Sequence, residues 1–405
     1  MTTTTSPRLG RTARSLSNVL PCWLLALTAA LAASACGSSP EVLPGRRPEV
    51  LANLGANVLL PSYRTLQERT NAFDTAIAAY AASGLVADRD SARAAFLALM
   101  ETLMEVEMMT TGPLGSATLT PGGQDLFDEI YSWAVLPLSY CGVDRFLAGD
   151  SFQDVAALDT AALNIRGMGA IDYLLFVETT DNGCEALAEI NTDGTWAALS
   201  ADADALAQRR GQMARALSAQ VKQRVDRLVS AWDGGFLLEL QDPTRAGALY
   251  RTAQEGLNAM ADALFVLDQV TKDMRLGHAA GVVDCATTTC PEALETLYAG
   301  DNKERILHNL IGFRLVYTGG TGLGFDDLLV DVGAAEFSVS MLADIDAAIA
   351  AVGQVDGTLA EALVNDLDDV RALYEAIQRL DTDLKTTFLG TLSLDPPNRA
   401  GADND

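Results

Sequence analysis

The sequence is poor in histidine, in basic residues and in the alternating apolar and polar runs that build β-strands. Its 405 residues include only two histidines, His278 and His308, and no H-E-x-x-H motif, which excludes the common zinc-protease helix. There is no C-x-x-C pair, which argues against a cysteine-based zinc site. Lysine and arginine number 28 against 54 aspartates and glutamates, a formal charge of −26. Phosphate contacts require the opposite sign, so the composition excludes a general nucleic-acid binder.

The N-terminus has the pattern of a bacterial export signal. In residues 1–35, three arginines precede an apolar segment (19–31) that is too short to span a membrane. A run of small residues then ends on Cys36, which is typical of a bacterial lipobox, although Ala33 stands where leucine is usual. We predict that residues 1–35 are a signal peptide, that Cys36 is lipidated and that residues 36–48 are a tether. Ordinary cleavage before Cys36, without lipidation, is the alternative.

The charge of the mature chain bears on how it would be held at a membrane. Residues 1–35 contain three arginines and no acidic residue, so removing them leaves 25 basic residues against 54 acidic ones, a formal charge of −29. This charge disfavours adhesion to anionic lipid, so any attachment depends on Cys36. We expect an exported protein of the cell envelope, lipid-anchored on the periplasmic side or at the surface of a bacterial membrane.

From Pro48 onward, apolar residues recur at the three- and four-residue spacing of amphipathic helices. The segment 233–243 contains two glycines and a proline and separates two sets of such helices. We predict an all-α fold of two helical-bundle domains, residues 49–235 and 243–395. A flexible tail is expected over residues 396–405.

Four cysteines remain when the two in the export segment are set aside. An even number in an oxidising compartment favours disulfides. Cys285 and Cys290 flank a stretch without periodicity, so a local bridge is favoured, and Cys141 would then pair with Cys184. Three connectivities are open, and sequence spacing alone does not choose among them.

The central stretch, residues 164–176, reads N-I-R-G-M-G-A-I-D-Y-L-L-F. Gly167 and Gly169 suit the start of a helix rather than its interior. Asp172 is the single carboxylate of the apolar run that follows, which favours a structural aspartate at a helix start over a functional one. Because an unpaired buried charge is costly, we expect it to have a partner: backbone N–H groups, Arg166, or a hydroxyl from a neighbouring helix.

This stretch resembles the signature of the imelysin family of bacterial envelope proteins, G-x-H-x-x-E followed by an aromatic residue and a Leu-Leu pair. Gly167 matches the glycine, Asp172 stands in place of the glutamate and Tyr173 matches the aromatic residue, whereas Gly169 stands where the family has histidine. Further similarity extends over roughly residues 50–405. The resemblance implies an all-helical fold of two bundles with a cleft between them.

The resemblance also implies a choice among three function classes, because imelysin-like proteins occur in the setting of iron acquisition and have been classed as peptidases. The missing histidine weakens the peptidase most, since a metal site needs several converging ligands. We rank a non-enzymatic ligand-binding lipoprotein first, an interaction or structural module with a degenerate site second, and a metallopeptidase third. The implied binding positions are Gly167, Gly169, Asp172 and Tyr173. No catalytic residue or metal ligand is predicted, iron or another metal is an open alternative as cofactor, and the ligand or envelope protein partner is unspecified.

Other polar features of the sequence favour structural roles. His308 lies in an apolar helical stripe, which favours a partly buried structural side chain. The glycine-rich segment 319–324 lacks the Lys-Ser/Thr of a phosphate loop and indicates a turn. Glu101 and Glu105 share a helix face in an acidic cluster with Glu107, a pattern more typical of a solvated surface than of a cation site.

The anchoring prediction can be tested at Cys36. If this cysteine carries the lipid, Cys36→Ser should release the protein from the membrane fraction or leave it as an uncleaved precursor. Fractionation and mass spectrometry of the N-terminus make the measurement. A wild-type mature protein that is entirely soluble, with an unmodified N-terminus, would contradict the prediction.

Overall fold

The core of the structure is built from amphipathic helices whose apolar stripes face one another. The computed structural model describes residues 45–397. The predicted signal peptide, Cys36, most of the predicted tether and the end of the predicted tail lie outside the described residues. Residues 45–397 contain no β-strand, which confirms the all-α prediction. None of the helices in this range is both long and apolar enough to cross a membrane.

Eighteen α-helices succeed one another along residues 45–397. They are α1 (Arg47–Asn53), α2 (Leu60–Ser83), α3 (Val86–Glu107), α4 (Leu126–Ile130), α5 (Tyr140–Ala148), α6 (Val155–Thr160), α7 (Gly167–Phe176), α8 (Glu189–Thr192), α9 (Thr195–Leu199), α10 (Ala203–Ala231), α11 (Leu237–Gln241), α12 (Ala253–Leu264), α13 (Asn302–Thr318), α14 (Phe325–Asp331), α15 (Ala335–Val352), α16 (Leu359–Asn365), α17 (Leu367–Asp383) and α18 (Leu389–Leu392). Four π-helical segments extend or join them: Leu54–Leu59, Trp232–Phe236, Leu267–Gly277 and Leu384–Phe388. Short 3₁₀ turns occur at Gly112–Leu114, Ser151–Gln153, Leu163–Ile165 and Pro291–Ala293.

Two groups of helices share helix α3. In the first group α3 packs against α2, and α10 packs against both α2 and α7. In the second, α3 packs against α13, which contacts α15 and the π-helical segment Leu267–Gly277. The stripes meet in a continuous apolar core, in which the ring centroids of Phe73 on α2 and Phe96 on α3 lie 5.7 Å apart. All the described residues belong to one compact unit.

The helical path breaks close to the predicted boundary between the two bundles. The π-helical segment after α10 is interrupted at Gly235, whose φ of +135° is open to glycine but strained for other residues. Helix α11 then ends at Gln241, before the Asp242-Pro243 turn. The division into bundles at 49–235 and 243–395, and a cleft between them, remain predictions.

Two disulfides are present, and of the three open connectivities the one observed combines the favoured local bridge with a Cys141–Cys184 pair. Cys141, in the first turn of α5, is bonded to Cys184 in the loop before α8. Cys285 is bonded to Cys290, closing a short loop. The first bridge holds the loop after α7 against α5, and so bears on the surroundings of Tyr173.

The close approach of α13 to α3 gives a stability prediction. A Cβ at Gly312 would lie 2.3 Å from the Glu105 carbonyl oxygen and 2.7 Å from its Cα, so Gly312→Ala must push the two helices apart. We expect it to lower the free energy of unfolding by about 1–3 kcal/mol. The matched control is Gly390→Ala in α18, where a Cβ meets no atom within 4 Å and the change should be neutral or slightly stabilising. Urea denaturation followed by circular dichroism measures both, and equal midpoints would show that the helices are not in tight contact.

Candidate functional site

Helix α7 begins at Gly167, and the local geometry requires glycine there. Its φ is +71°, and a Cβ would lie 2.6 Å from the carbonyl oxygen of Ile130 at the end of α4. The preceding Arg166 is extended, and its guanidinium donates to the Asp159 carbonyl at 3.1 Å. The predicted helix start is therefore confirmed, and the contact brings the first turn of α7 against α4.

Gly169, two residues on, lines a narrow crevice. A Cβ there would lie 3.7 Å from Tyr131 Cε2 and 3.9 Å from Leu138 Cδ1, which are ordinary van der Waals distances. Crowding therefore does not require this glycine, which instead leaves space in the crevice. The enclosed volume is about 20 Å³, room for about one water molecule. The walls are mainly aromatic and charged, and include Tyr131, Trp133, Tyr140, Asp172, Tyr173 and Tyr298. The crevice thus brings Gly169, Asp172 and Tyr173 together, whereas Gly167 is not among its walls.

Asp172 lies on α7 and is only 5% exposed. The Thr296 hydroxyl donates to its Oδ1 at 3.0 Å, and Nη2 of Arg305 donates to its Oδ2 at 2.6 Å. The expectation of a buried carboxylate with a hydroxyl partner is confirmed. The expected alternative, Arg166, is not the partner, since its guanidinium is directed to the Asp159 carbonyl.

Arg305, in the first turn of α13, connects Asp172 to a buried polar network. Its Nε donates to Oδ1 of Asp301 at 3.0 Å, and its Nη1 donates to the Tyr131 hydroxyl at 2.8 Å. Oε1 of Glu295 lies 3.5 Å from the same Nη1 and also accepts from the Tyr131 hydroxyl. Arg305 is only 2% exposed, so its charge is balanced by these neighbours and not by water.

Arg275 continues the network on the other side of Glu295. It comes from the π-helical segment Leu267–Gly277 and is 1% exposed. Its Nε donates to Oε2 of Glu295 at 2.5 Å, and its Nη1 donates to Oε2 of Glu107 at 2.6 Å and to Oδ1 of Asn309 at 2.7 Å. The network therefore joins α3, α7, α13 and the π-helical segment through charge-assisted hydrogen bonds.

Glu107 is buried, although the sequence suggests a solvated surface for the acidic cluster of α3. The acidic cluster that it forms with Glu101 and Glu105 suggests a solvated surface, yet Glu107 is only 2% exposed and is paired with Arg275. Glu105 is half-buried, and its Oε1 lies 2.8 Å from Nδ1 of His308. The partly buried structural role expected for His308 agrees with this contact.

The network holds more negative than positive groups, four carboxylates against two guanidiniums. Burial raises the pKa of Asp172 to about 6, and Asp301 adds to the rise, against the lowering effect of Arg305. For Glu295, burial acts in the same upward direction, but the charges of Arg275 and Arg305 outweigh it and lower the pKa. Asp172 therefore takes up a proton more readily than Glu295 on mild acidification.

Tyr173, the fourth predicted binding position, is anchored beneath the crevice. Its hydroxyl donates to Oδ2 of Asp144 at 2.8 Å, and the Gly183 N–H donates to the same oxygen at 2.7 Å. Asp144 is fully buried, and burial raises its pKa. The Tyr173 ring packs against those of Tyr140 and Tyr298, with centroids 5.0 and 5.3 Å away. The aromatic wall of the crevice is thus fixed by a buried hydrogen bond.

The residues at the motif do not fit a divalent metal ion. Gly169 supplies no donor, and a guanidinium lies against the Asp172 carboxylate where a cation would approach it. Among residues 45–397, no three histidine, cysteine, aspartate or glutamate side chains converge in a way that could hold a metal.

The sequence itself identifies the family. Residues 59–387 match the family model described as Imelysin. The chain belongs to the imelysin family. No curated protein sequence matches the chain.

Two solved structures share the fold of this imelysin. A Parabacteroides distasonis protein described as an iron-regulated protein A precursor superposes with a TM-score of 0.64 at 17% identity, over 86% of this chain and 94% of its own. An imelysin-like protein from Psychrobacter arcticum gives a TM-score of 0.63 at 13% identity, over 86% of this chain and 96% of its own. At these identities the similarity shows the fold alone.

The site of this imelysin includes residues that the motif does not reveal. Arg305, Arg275, Glu295 and Tyr131 lie far from residues 167–173 in sequence and meet them only in the fold. A signal was present at Arg305 and Arg275, because each is a charged residue that stands next to apolar positions of a helical stripe. An arginine in such a stripe is buried only if it is paired, so both positions indicate a buried acidic partner. The sequence does not show which acidic residue that partner is.

The raised pKa of Asp172 predicts how stability depends on pH. A rise from the ordinary 3.8 to about 6 means that the folded state binds this proton more tightly than the unfolded state. The resulting stabilisation is complete below the ordinary pKa and is lost as the pH rises through about 6. Asparagine does not bind this proton, so Asp172→Asn should not lose stability in this way as the pH rises. The free energy of unfolding of the variant minus that of wild type should therefore increase by on the order of 1–3 kcal/mol between about pH 4 and pH 7.

Chemical denaturation of both proteins across this pH range makes the measurement. Asp381, whose pKa burial raises to about 7, titrates in the same range but is present in both proteins, so the difference isolates Asp172. The control is Val339→Ala at an exposed position on α15, a change that adds or removes no titratable group, so its difference from wild type should not vary with pH. A difference for Asp172→Asn that is as flat as the control would contradict the prediction.

Proposed function

We propose that this imelysin is an exported, lipid-anchored protein of the cell envelope that binds a small ligand at the crevice without catalysing a reaction, in the setting of iron acquisition. The observation that carries the proposal is the pairing of Asp172 with Arg305 at 2.6 Å, beside a glycine in place of the family histidine. Because Asp172 is paired with an arginine and position 169 has no side-chain donor, the motif does not suit a bare metal ion. The crevice beside it remains available to a ligand.

The walls of the crevice suit recognition by stacking and hydrogen bonding. Tyr298 and Leu136 are 39% and 40% exposed, so aromatic and apolar surface is available at the mouth. Trp133 is half-buried, and the guanidinium of Arg275 lies 5.4 Å from its ring centroid. Pockets that combine aromatic surface with a few fixed polar groups are typical of small-molecule sites.

Iron acquisition is supported by family membership and by one structural neighbour. That neighbour is described as an iron-regulated protein A precursor, and the word precursor also agrees with export. Export and lipid attachment of this chain are supported by the signal-peptide pattern that ends on Cys36. Since the motif does not fit a bare ion, we infer that iron would be carried by a chelate or by haem.

The second candidate is an interaction or structural module. The small enclosed volume, about 20 Å³, favours it, because a ligand must lie mostly at the mouth of the crevice unless the walls move. A metallopeptidase ranks third, since among residues 45–397 no set of side chains converges in a way that could hold a metal ion.

Trp133 provides the test. Titration of the mature protein with haem or with ferric citrate should quench tryptophan fluorescence to saturation, and Trp133→Phe should identify the responding residue. We expect Tyr298→Ala to weaken the apparent affinity about ten-fold, which corresponds to about 1.4 kcal/mol. Zinc chloride should produce no saturable change.

The control is Tyr80→Phe, on α2, whose hydroxyl donates to the Ala207 carbonyl and whose ring is not part of the crevice. It should leave the titration unchanged. Absence of saturable quenching by both iron compounds would favour the interaction module. A chelator-sensitive peptidase activity that disappears in Asp172→Asn would overturn the proposal in favour of the third candidate.

A further inference from the structure

A second and larger cavity lies between the segment that follows α3 and the π-helical segment Leu267–Gly277. Its volume is about 340 Å³, within the range of small-molecule sites and far above the crevice at Gly169. Tyr131 is a wall of both spaces, and Glu107 of the buried network forms part of the larger one. We call it the Thr110 cavity, after the residue whose hydroxyl bears on its chemistry.

The walls of the Thr110 cavity are predominantly apolar. Their side chains come from the end of α3 and the loop after it, from α4 and the stretch after it, and from the π-helical segment with the residue before it. The apolar side chains of the walls include Leu114, Leu119, Phe127, Val135, Val270 and Met274. Leu119 and Val135 are 44% and 64% exposed, so the cavity opens to solvent beside apolar surface. Such walls favour an apolar body, which burial would remove from water.

The charges around the cavity disfavour an anion. Its walls contain no lysine or arginine, whereas Glu107 and Asp128 are among them. Glu107 is already paired with Arg275 at 2.6 Å, so it does not require a cation from a ligand. A fatty acid or another carboxylate would find no lysine or arginine in the walls to pair with, so an uncharged molecule fits best.

Thr110 supplies the polar feature. It is only 6% exposed, and among residues 45–397 its hydroxyl has no hydrogen-bond partner. Buried hydroxyls are nearly always paired, so an unpaired one in the wall of a cavity indicates a partner that enters from the cavity. Rotation about the Cα–Cβ bond carries the threonine hydroxyl among three staggered positions, so the hydroxyl can turn toward such a partner.

We propose that the Thr110 cavity binds a small uncharged molecule with an apolar, ring-sized body and one hydroxyl group. The body packs against Val270 and Met274, and the hydroxyl hydrogen-bonds to Thr110. The site is separate from the crevice at Gly169, and the proposal does not depend on the function assigned to that crevice.

The test uses 2-naphthol as probe, with naphthalene and 2-naphthoate as matched compounds. Equilibrium dialysis against the mature protein should show one equivalent of 2-naphthol bound. Naphthalene, which lacks the hydroxyl, should bind about five-fold more weakly, the equivalent of one hydrogen bond of about 1 kcal/mol. The anion 2-naphthoate should bind more weakly than either.

Variants locate the site. Thr110→Val should weaken 2-naphthol about five-fold and leave naphthalene unchanged. The matched control is Thr70→Val, a buried threonine on α2 whose hydroxyl already donates to the Leu66 carbonyl at 2.7 Å, and it should change neither affinity. Ala134→Trp, at a half-buried wall position, should abolish binding of both compounds by filling the cavity.

Several results would overturn the proposal. These are equal affinities for 2-naphthol and naphthalene in wild type, an affinity for 2-naphthol that Thr110→Val does not change, or binding that survives Ala134→Trp. Tighter binding of 2-naphthoate would overturn the argument from charge. Because the crevice is followed separately by Trp133 fluorescence with iron compounds, failure here is distinct from failure of the proposed function.

Discussion

The structure depends on a buried pair, the carboxylate of Asp172 on α7 and the guanidinium of Arg305 on α13, 2.6 Å apart. Each partner is nearly inaccessible to water, so either one left alone would carry the full cost of an uncompensated buried charge. The pair therefore fixes the position of α7 relative to α13 more through the penalty for separation than through net attraction. Through Glu295 and Arg275 the same constraint reaches α3 and the π-helical segment.

Burial is the main reason that one carboxyl of this network has a raised pKa. Burial raises the pKa of Asp172 to about 6, and the nearby charge of Asp301 adds to the rise, while Arg305 opposes it. Arg305 and Thr296 both donate to the Asp172 carboxylate, so the network satisfies Asp172 without a bound cation. The glycine at position 169 and the pairing of Asp172 with Arg305 agree with each other, because neither residue of the motif is left to bind a metal ion.

Local features of the site were predictable from the sequence, and long-range ones were not. The start of α7 at Gly167 and the burial of Asp172 follow from neighbouring residues, because glycine geometry and apolar periodicity act over one or two turns. The partner of Asp172 does not follow, since Arg166 is adjacent whereas Arg305 lies 133 residues further along the chain. The face that Glu101 and Glu105 share suggests a solvated surface for this part of α3, and only the approach of Arg275 explains why Glu107 is buried. The helices themselves, and hence the all-α fold, needed only periodicity.

Tyr131 shows how one network shapes two binding surfaces. Its ring is a wall of the crevice and of the Thr110 cavity, and its hydroxyl is held between Arg305 and Glu295. A ring held in this way has little freedom, so binding in either space need not pay for ordering that wall. The ordered aromatic wall offers a ligand a surface on which to stack. The motif beside it has glycine in place of the family histidine and so lacks a metal ligand that metal-assisted hydrolysis requires. For this physical reason we place binding ahead of catalysis in this imelysin.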